Sequence, residues 1–341
     1  MKSKVSLMFL ALNLFLAACQ AENNSSDSSS NTGDTVQKEK ENNHTDSSQE
    51  NDKTDNTEEN KDAGMDIFKV AEDSSIDHVH GIGYAGGDEG LFLATHNGLM
   101  IYRDEKWYEQ TEEKHDYMGF SATDNGFYSS GHPAEGSDLK NPLGLIKSTD
   151  KGKSFEKLGF YGESDFHYMA VGYNSHAIYI VNQKGNSKLK PGVYFSNDDG
   201  ENWKEVGFGG LPDKVGGIVA HPDKEEVVAV TSPDGVFLST NKGNEFKKIE
   251  GSVGASAATM TENEVVYAEA ATQPDIIKQP VEGGEKTTIK GPDLVEDGIL
   301  YIAVNPNKED ELAVFTMNNS IYLTKDNGEN WKGLASKGKI K

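Results

Sequence analysis

The sequence predicts an all-β protein: a single β-propeller of six blades with four antiparallel strands each, seven blades being the fallback. Three observations carry this reading. A short turn motif recurs at spacings near ~43 residues or its double, the length of one four-stranded unit. Between the copies lie short runs of apolar and β-branched residues bounded by Gly, Asn and Asp. No stretch shows a sustained helical period. The domain so defined covers residues 65–341, after a signal at 1–19 and a tether at 20–64.

The N-terminus comes first. Lys2 and Lys4 precede an apolar run from Val5 to Ala18, interrupted by Ser6 and Asn13. At about 14 residues it is too short to span a bilayer and suits the apolar core of a secretion signal. It ends in Leu16-Ala17-Ala18-Cys19. This stretch resembles the lipobox of bacterial lipoproteins, whose cysteine is diacylated and becomes the first residue after cleavage. The resemblance implies lipidation of Cys19 and an exported protein. Its membrane contact is the lipid, on the outer face of the cell membrane. Cys19 is the single cysteine of the chain. The exported domain therefore has no disulfide, no thiolate nucleophile and no Cys-ligated zinc or iron–sulfur centre.

Residues 20–64 contain no aromatic residue, and their only β-branched aliphatic side chain is Val36. They are Asn, Ser, Thr, Asp, Glu and Lys, with acids far outnumbering lysines. Such a segment buries too little apolar surface to offset its chain entropy, so it is expected to be a disordered acidic stalk. His44 within it is a solvated residue.

The propeller follows. Its repeated motif is Ser148-Thr149-Asp150-Lys151-Gly152-Lys153-Ser154-Phe155, then Ser196-Asn197-Asp198-Asp199-Gly200-Glu201-Asn202-Trp203. The third copy is Ser239-Thr240-Asn241-Lys242-Gly243-Asn244-Glu245-Phe246, and the last is Thr324-Lys325-Asp326-Asn327-Gly328-Glu329-Asn330-Trp331. The double gap before the last copy marks one that has decayed. The physics is that of a hairpin turn. The acid accepts backbone N–H groups, glycine supplies positive φ, and the aromatic packs beneath. The motif resembles the Asp-box, or BNR repeat, of the sialidase-like superfamily. The resemblance implies an outer-hairpin position and a structural role for Asp150, Gly152, Asp198, Gly200, Asn241, Gly243, Asp326 and Gly328. Strands are read at 91–95, 99–103, 143–148, 176–182, 192–196, 226–231, 235–239, 264–269, 311–315 and 320–324. First strands of the blades are expected to begin near 78, 115, 167, 215, 253 and 299. Asp66 to Val70 is read as an extra strand that helps close the ring.

Charge removes whole classes of partner. The chain carries 33 Lys+Arg against 56 Asp+Glu, a net charge of -23. That excludes nucleic acid and anionic lipid headgroups as partners. Arg103 is the only arginine. Sialidases, which this chain otherwise resembles in its repeats, use three arginines to hold a carboxylate. Lysine does not reproduce that fork geometry. Sialidase activity is therefore not expected. Xyloglucan hydrolases with the same repeat bind between two propellers, and this chain has one. The overall resemblance is to bacterial Asp-box lipoproteins loosely named glycosylhydrolases, and no activity follows from that label. Gly81-Ile82-Gly83-Tyr84-Ala85-Gly86 fits a dinucleotide-binding pattern, but no helix follows it. No nucleotide cofactor is expected.

The histidines carry the candidate site. Aligning the first strands places His78, Asp116 and His167 in one column, and His80, Met118 and Met169 in a second. With a strand period of two, both columns face the same way. His115 lies just upstream of its strand. His96 and His132 fall after the second strands of blades 1 and 2, at the same end. The set His78, His80, His96, His115, Asp116, Met118, His132, His167 and Met169 is thus a candidate ligand or metal site at the mouth of the channel. Imidazole suits copper or zinc, and thioether sulfur favours Cu(I). His176 and His221 fall at the opposite end and read as structural. Three functions stay open. The first is a non-catalytic binding or accessory protein with a metal or glycan ligand. The second is a non-sialidase glycoside hydrolase using the rim carboxylates Glu163, Asp165, Asp213 or Asp297. The third is an envelope scaffold or assembly factor.

Overall fold

The computed structural model describes residues 64–341, apart from Asp88, Glu89 and Thr272. The signal, the lipidation of Cys19 and the tether up to residue 63 lie outside the described residues. The described chain forms six antiparallel sheets, the six blades of a β-propeller, with one short 3-10 turn at Met65–Ile67 and no α-helix. The first strands are Val79–Gly83, Asp116–Thr123, Met169–Val171, Ile218–Ala220, Ala255–Met260 and Ile299–Asn305. Each starts within three residues of the expected position. They pack side by side in a closed ring, blade 6 against blade 1. Every blade follows the same up-and-down path. The starts of all first strands and the turns after all second strands therefore share one end of the ring.

Alternation along the second strands explains why they bury both faces. In Leu91–Thr95, Leu91 and Leu93 pack toward blade 6, with Phe315 and Leu323. Phe92 and Ala94 pack toward blade 2, with Tyr117 and Phe127. In Ile178–Asn182, Ile178 and Ile180 face blade 2 while Tyr179 faces blade 4. The core is therefore six apolar wedges, one between each pair of neighbouring blades. Each fully buried Leu, Ile or Phe there contributes about 1.5–3 kcal/mol.

The outermost strands escape the sequence reading. Glu156–Gly159, Lys204–Val206 and Lys247–Lys248 are short and largely charged. They are open edges, where charge discourages pairing with another chain. They have little apolar pattern to detect.

The four repeated turns share one hydrogen-bond scheme. The hydroxyls of Ser148, Ser196, Ser239 and Thr324 donate to the side-chain oxygens of Asp150, Asp198, Asn241 and Asp326 at 2.7–3.0 Å. The same hydroxyls accept the N–H groups of Gly152, Gly200, Gly243 and Gly328 at 2.9–3.0 Å. Those glycines have φ of 82°, 80°, 76° and 88°, a region costly for any other residue. The aromatics Phe155, Trp203, Phe246 and Trp331 each pack into the wedge shared with the preceding blade. All four turns join third to fourth strands, at the end of the ring opposite the histidines.

Ring closure differs from the expectation. Phe68–Val70 is a strand, but it pairs with Lys106–Gln110 on the outer edge of blade 1. Closure comes from a bridge between Ser75 and Lys339, and from the Ile76 N–H donating to Gly338 O at 2.7 Å. The Trp107 indole also donates to Leu334 O, blade 1 to blade 6. The glycines of the false dinucleotide motif have a packing reason. A Cβ on Gly83 would stand 2.7 Å from the Ala122 Cβ, and one on Gly81 3.0 Å from the Phe120 Cβ. Glycine there lets the first strands of blades 1 and 2 approach.

Candidate metal centre

The site is built at the junction of blades 1 and 2. His80 lies on the first strand of blade 1. His96 lies in the turn after its second strand, and Asp116 opens the first strand of blade 2. The His80 Nε2 and His96 Nδ1 atoms are 3.1 Å apart. Asp116 Oδ1 is 3.1 Å from His80 Nε2, and Asp116 Oδ2 is 3.0 Å from His96 Nδ1. The three side chains thus form a compact triangle in which each imidazole nitrogen faces the other and a different oxygen of Asp116, with one ligand atom from each lying within 4.8 Å of the others.

A local irregularity makes this triangle. Val79 pairs with Thr95 and Gly81 with Ala94, so His80 is the extra residue of a one-residue bulge. The bulge corrects the expected columns. Asp116 meets His80 and His96, not a column shared with His78 and His167, because one extra residue shifts the alternation of the strand. Met169 belongs to the apolar wedge of Tyr128, Phe166 and Ile178, and Met118 is buried two residues along the strand from Asp116.

The triangle is poorly satisfied by hydrogen bonds alone. Two neutral imidazoles can each donate one N–H to a different Asp116 oxygen, which leaves the two nitrogens facing each other at 3.1 Å. If both facing nitrogens carry protons, they oppose each other. If one does, an edge to the carboxylate goes unbonded. Accordingly Asp116 Oδ1 is buried without a hydrogen bond of proper geometry despite its 3.1 Å contact. A cation at the centre satisfies all three atoms at once. Ligand atoms around a tetrahedral zinc at ~2.05 Å stand about 3.3 Å apart, close to the separations here. Electrostatics agree. Burial pushes the Asp116 carboxyl up, but the adjacent His80, then His96, outweigh it and hold it below the ordinary range.

A second His–Asp group adjoins the first. His132 ends the second strand of blade 2 and is the register partner of Asp116. Its Nε2 lies 3.3 Å from Asp165 Oδ2, and His167 Nδ1 lies 3.3 Å from the same oxygen. The Asn141 side-chain oxygen fixes the ring through a 2.6 Å bond to His132 Nδ1. The hydrogen bond to Asp165 pushes the His132 pKa up to about 9, against burial. This group ties blade 2 to the segment entering blade 3.

His115 belongs to neither group. It is fully buried, accepts the Ala134 N–H at Nδ1, and packs edge-on against Tyr117 and Phe155. Burial lowers its pKa. At the other end, His176 contacts Asp124 at 2.7 Å, and His221 is buried with its ring bonded to Glu262 O. Sequence reasoning missed the roles of Asn141 and Asp165. Asn141 sits in a long loop with no periodic signal, and Asp165 was read only as a rim carboxylate.

Two of the rim carboxylates have other partners. Hydrogen bonding from Ser187 lowers the Glu163 pKa. Asp297 Oδ1 accepts the N–H groups of Gly298 and Asn318 and so caps a turn. A cleft on blade 1, lined by Asp77, Asn97, Met100, Glu109 and Lys114 among others and by none of the three triangle residues, holds about 270 Å³. That is below the usual size of a small-molecule pocket, ~300 Å³ and upward.

No protein-family model matches the chain, and no curated protein matches it. Solved structures align with parts of it. The GH74 xyloglucanase from Xanthomonas campestris aligns over 78% of this chain and 46% of its own, at 13% identity and a TM-score of 0.49. The GH74 enzyme of Niastella koreensis aligns over 79% and 47%, at 14% identity and a TM-score of 0.49. YCF48 from Cyanidioschyzon merolae aligns over 80% and 90%, at 14% identity and a TM-score of 0.45. The chain spans less than half the length of the two GH74 enzymes.

Proposed function

We propose that this chain is an exported, lipid-anchored Asp-box propeller that binds a transition-metal ion at one end of its ring. It acts as a binding or accessory protein, without sialidase activity. One observation carries the reading: the ring nitrogens of His80 and His96 and the carboxylate oxygens of Asp116, from two blades, face one another at 3.0–3.1 Å. Three protein ligands of this kind suit zinc or copper, and a set with one oxygen does not suit calcium or magnesium. The lipobox-like Cys19 and the acidic stalk place the site outside the cell, on a tether. The single arginine supports the absence of sialidase chemistry.

Elemental analysis of the full chain, purified without a histidine tag, tests this. About one equivalent of zinc or copper is expected, as for one three-ligand site. The double variant His80→Gln, His96→Gln is expected to lose it. No bound metal in the parent chain, even after loading, rejects the reading.

A further inference from the structure

The triangle supplies three ligands, and a fourth imidazole stands beside it. The His78 ring centre lies 5.5 Å from that of His96 and 6.0 Å from that of His80, while His80 and His96 are 5.3 Å apart. Two imidazoles on one tetrahedral ion have a predictable spacing. A bond of ~2.05 Å plus ~1.15 Å from nitrogen to ring centre puts the two ring centres about 5.2 Å apart. The ring centres stand nearly as far apart as those of three ligands of one ion, but the His78 nitrogens lie outside the group of ligand atoms within 4.8 Å of one another, so its ring must turn to bind. His78 is exposed, whereas its backbone is pinned: its carbonyl accepts the His96 N–H at 3.3 Å. It holds a φ of 26°, which a non-glycine residue keeps only where its surroundings enforce it. The anchor is fixed and the ring is free to turn.

We propose that His78 is the fourth ligand, so that the site holds zinc in a tetrahedral shell of three imidazoles and the Asp116 carboxylate. This rests on the metal reading above and deepens it. The donor chemistry selects the ion. Three nitrogens and one oxygen match a borderline divalent ion such as zinc, and a shell without thioether does not favour Cu(I). A shell of four protein ligands has no open position for substrate, which is the mark of a holding site and not of a hydrolytic one. The exposed His78 ring then acts as the latch. Turned away it leaves a three-ligand site open to solvent, and turned in it closes the shell.

Cobalt titration of the full, tag-free chain, followed by visible absorption and competition with zinc, tests the latch. The parent chain is expected to show the intense ligand-field band of four-coordinate cobalt, unmoved by azide. His78→Asn removes the imidazole and keeps a residue that tolerates positive φ. It is expected to bind cobalt and zinc about 10- to 100-fold more weakly, with a band that azide shifts. His176→Asn, at the other end of the ring, is expected to match the parent. An unchanged affinity and spectrum in His78→Asn overturns the latch and leaves the three-ligand site standing. Failure of the parent to bind either metal overturns both. Thermal unfolding of the metal-free variants at the parent's midpoint shows that the fold is intact.

Discussion

Asp116 and His132 face each other across two strands of blade 2, and their protonation is held in opposite ways. Asp116 stays ionised against its burial because two imidazoles face it. His132 stays protonated because Asp165 accepts from it. The second arrangement has a definite sign. The folded pKa of about 9 lies above the ordinary value of 6.5. The stabilisation is therefore complete below that ordinary value and is lost as pH rises through about 9. A ring 39% exposed is partly screened by solvent, which cuts the contribution to about 1 kcal/mol. Urea unfolding of the metal-free chain at about pH 6 and about pH 9.5 should show that loss, and His132→Gln should flatten it. Metal binding runs the other way. The ligating imidazoles must be neutral, so lowering the pH from about 7.5 to about 5 is expected to release the ion. Equilibrium dialysis reads this directly, and retention at low pH would speak against imidazole ligands.

At the scale of the element, the repeated turn and the first-strand bulge do different work. The turn is a closed hydrogen-bond unit that needs an acceptor oxygen at one position. Asn241 supplies it with an amide: its Oδ1 accepts the Glu245 N–H at 3.0 Å, as Asp198 Oδ1 accepts that of Asn202. Asn241→Asp is therefore expected to leave stability within about 0.5 kcal/mol, and Asp198→Ala to cost about 1–2 kcal/mol. Chemical denaturation of the two variants checks both. The turns were legible in the sequence because their chemistry is local. Most second and third strands were legible as apolar runs, but Gly126–His132, rich in Gly and Ser, and Ile276–Pro280, with Lys and Gln inside it, were not. The charged fourth strands were not, because an edge has no buried face to pattern. The bulge at His80 was invisible for another reason: whether one residue is extra depends on the partner strand, not on the strand itself.

The whole ring is held by wedges between blades, and the metal triangle lies across one of them. An ion bound by His80 and His96 of blade 1 and Asp116 of blade 2 ties two units that otherwise meet through apolar contacts. Zinc at about 100 times its dissociation constant should therefore stabilise the fold by about 2.7 kcal/mol, and a chelator should remove that increment. Scanning calorimetry with and without zinc measures it. The same geometry makes the site sensitive to blade spacing. A valine at position 83 would force the first strands of blades 1 and 2 apart, since a Cβ there already meets Ala122 at 2.7 Å. Gly83→Val is expected to cost about 1–3 kcal/mol and to weaken metal binding together with stability. Metal affinity unchanged in a destabilised Gly83→Val chain would show that the triangle does not depend on the junction.

What the sequence determined by itself was whatever depends on neighbours along the chain. Turn chemistry at Asp150, Asp198, Asn241 and Asp326 and two-sided apolar runs such as Leu91–Thr95 were enough to count six blades and to start each within three residues. The same patterning brought the histidines to one end of the ring, because their distance from each strand start sets the end they occupy. Which of them touch was decided only in three dimensions. A one-residue bulge turned His80 toward Asp116, and close approach of two blades at Gly81 and Gly83 brought that carboxylate within reach. Wedge packing took Met169 away, and burial took His115. Contacts between blades are set by strand register and blade spacing, and neither is written in any single stretch of the chain.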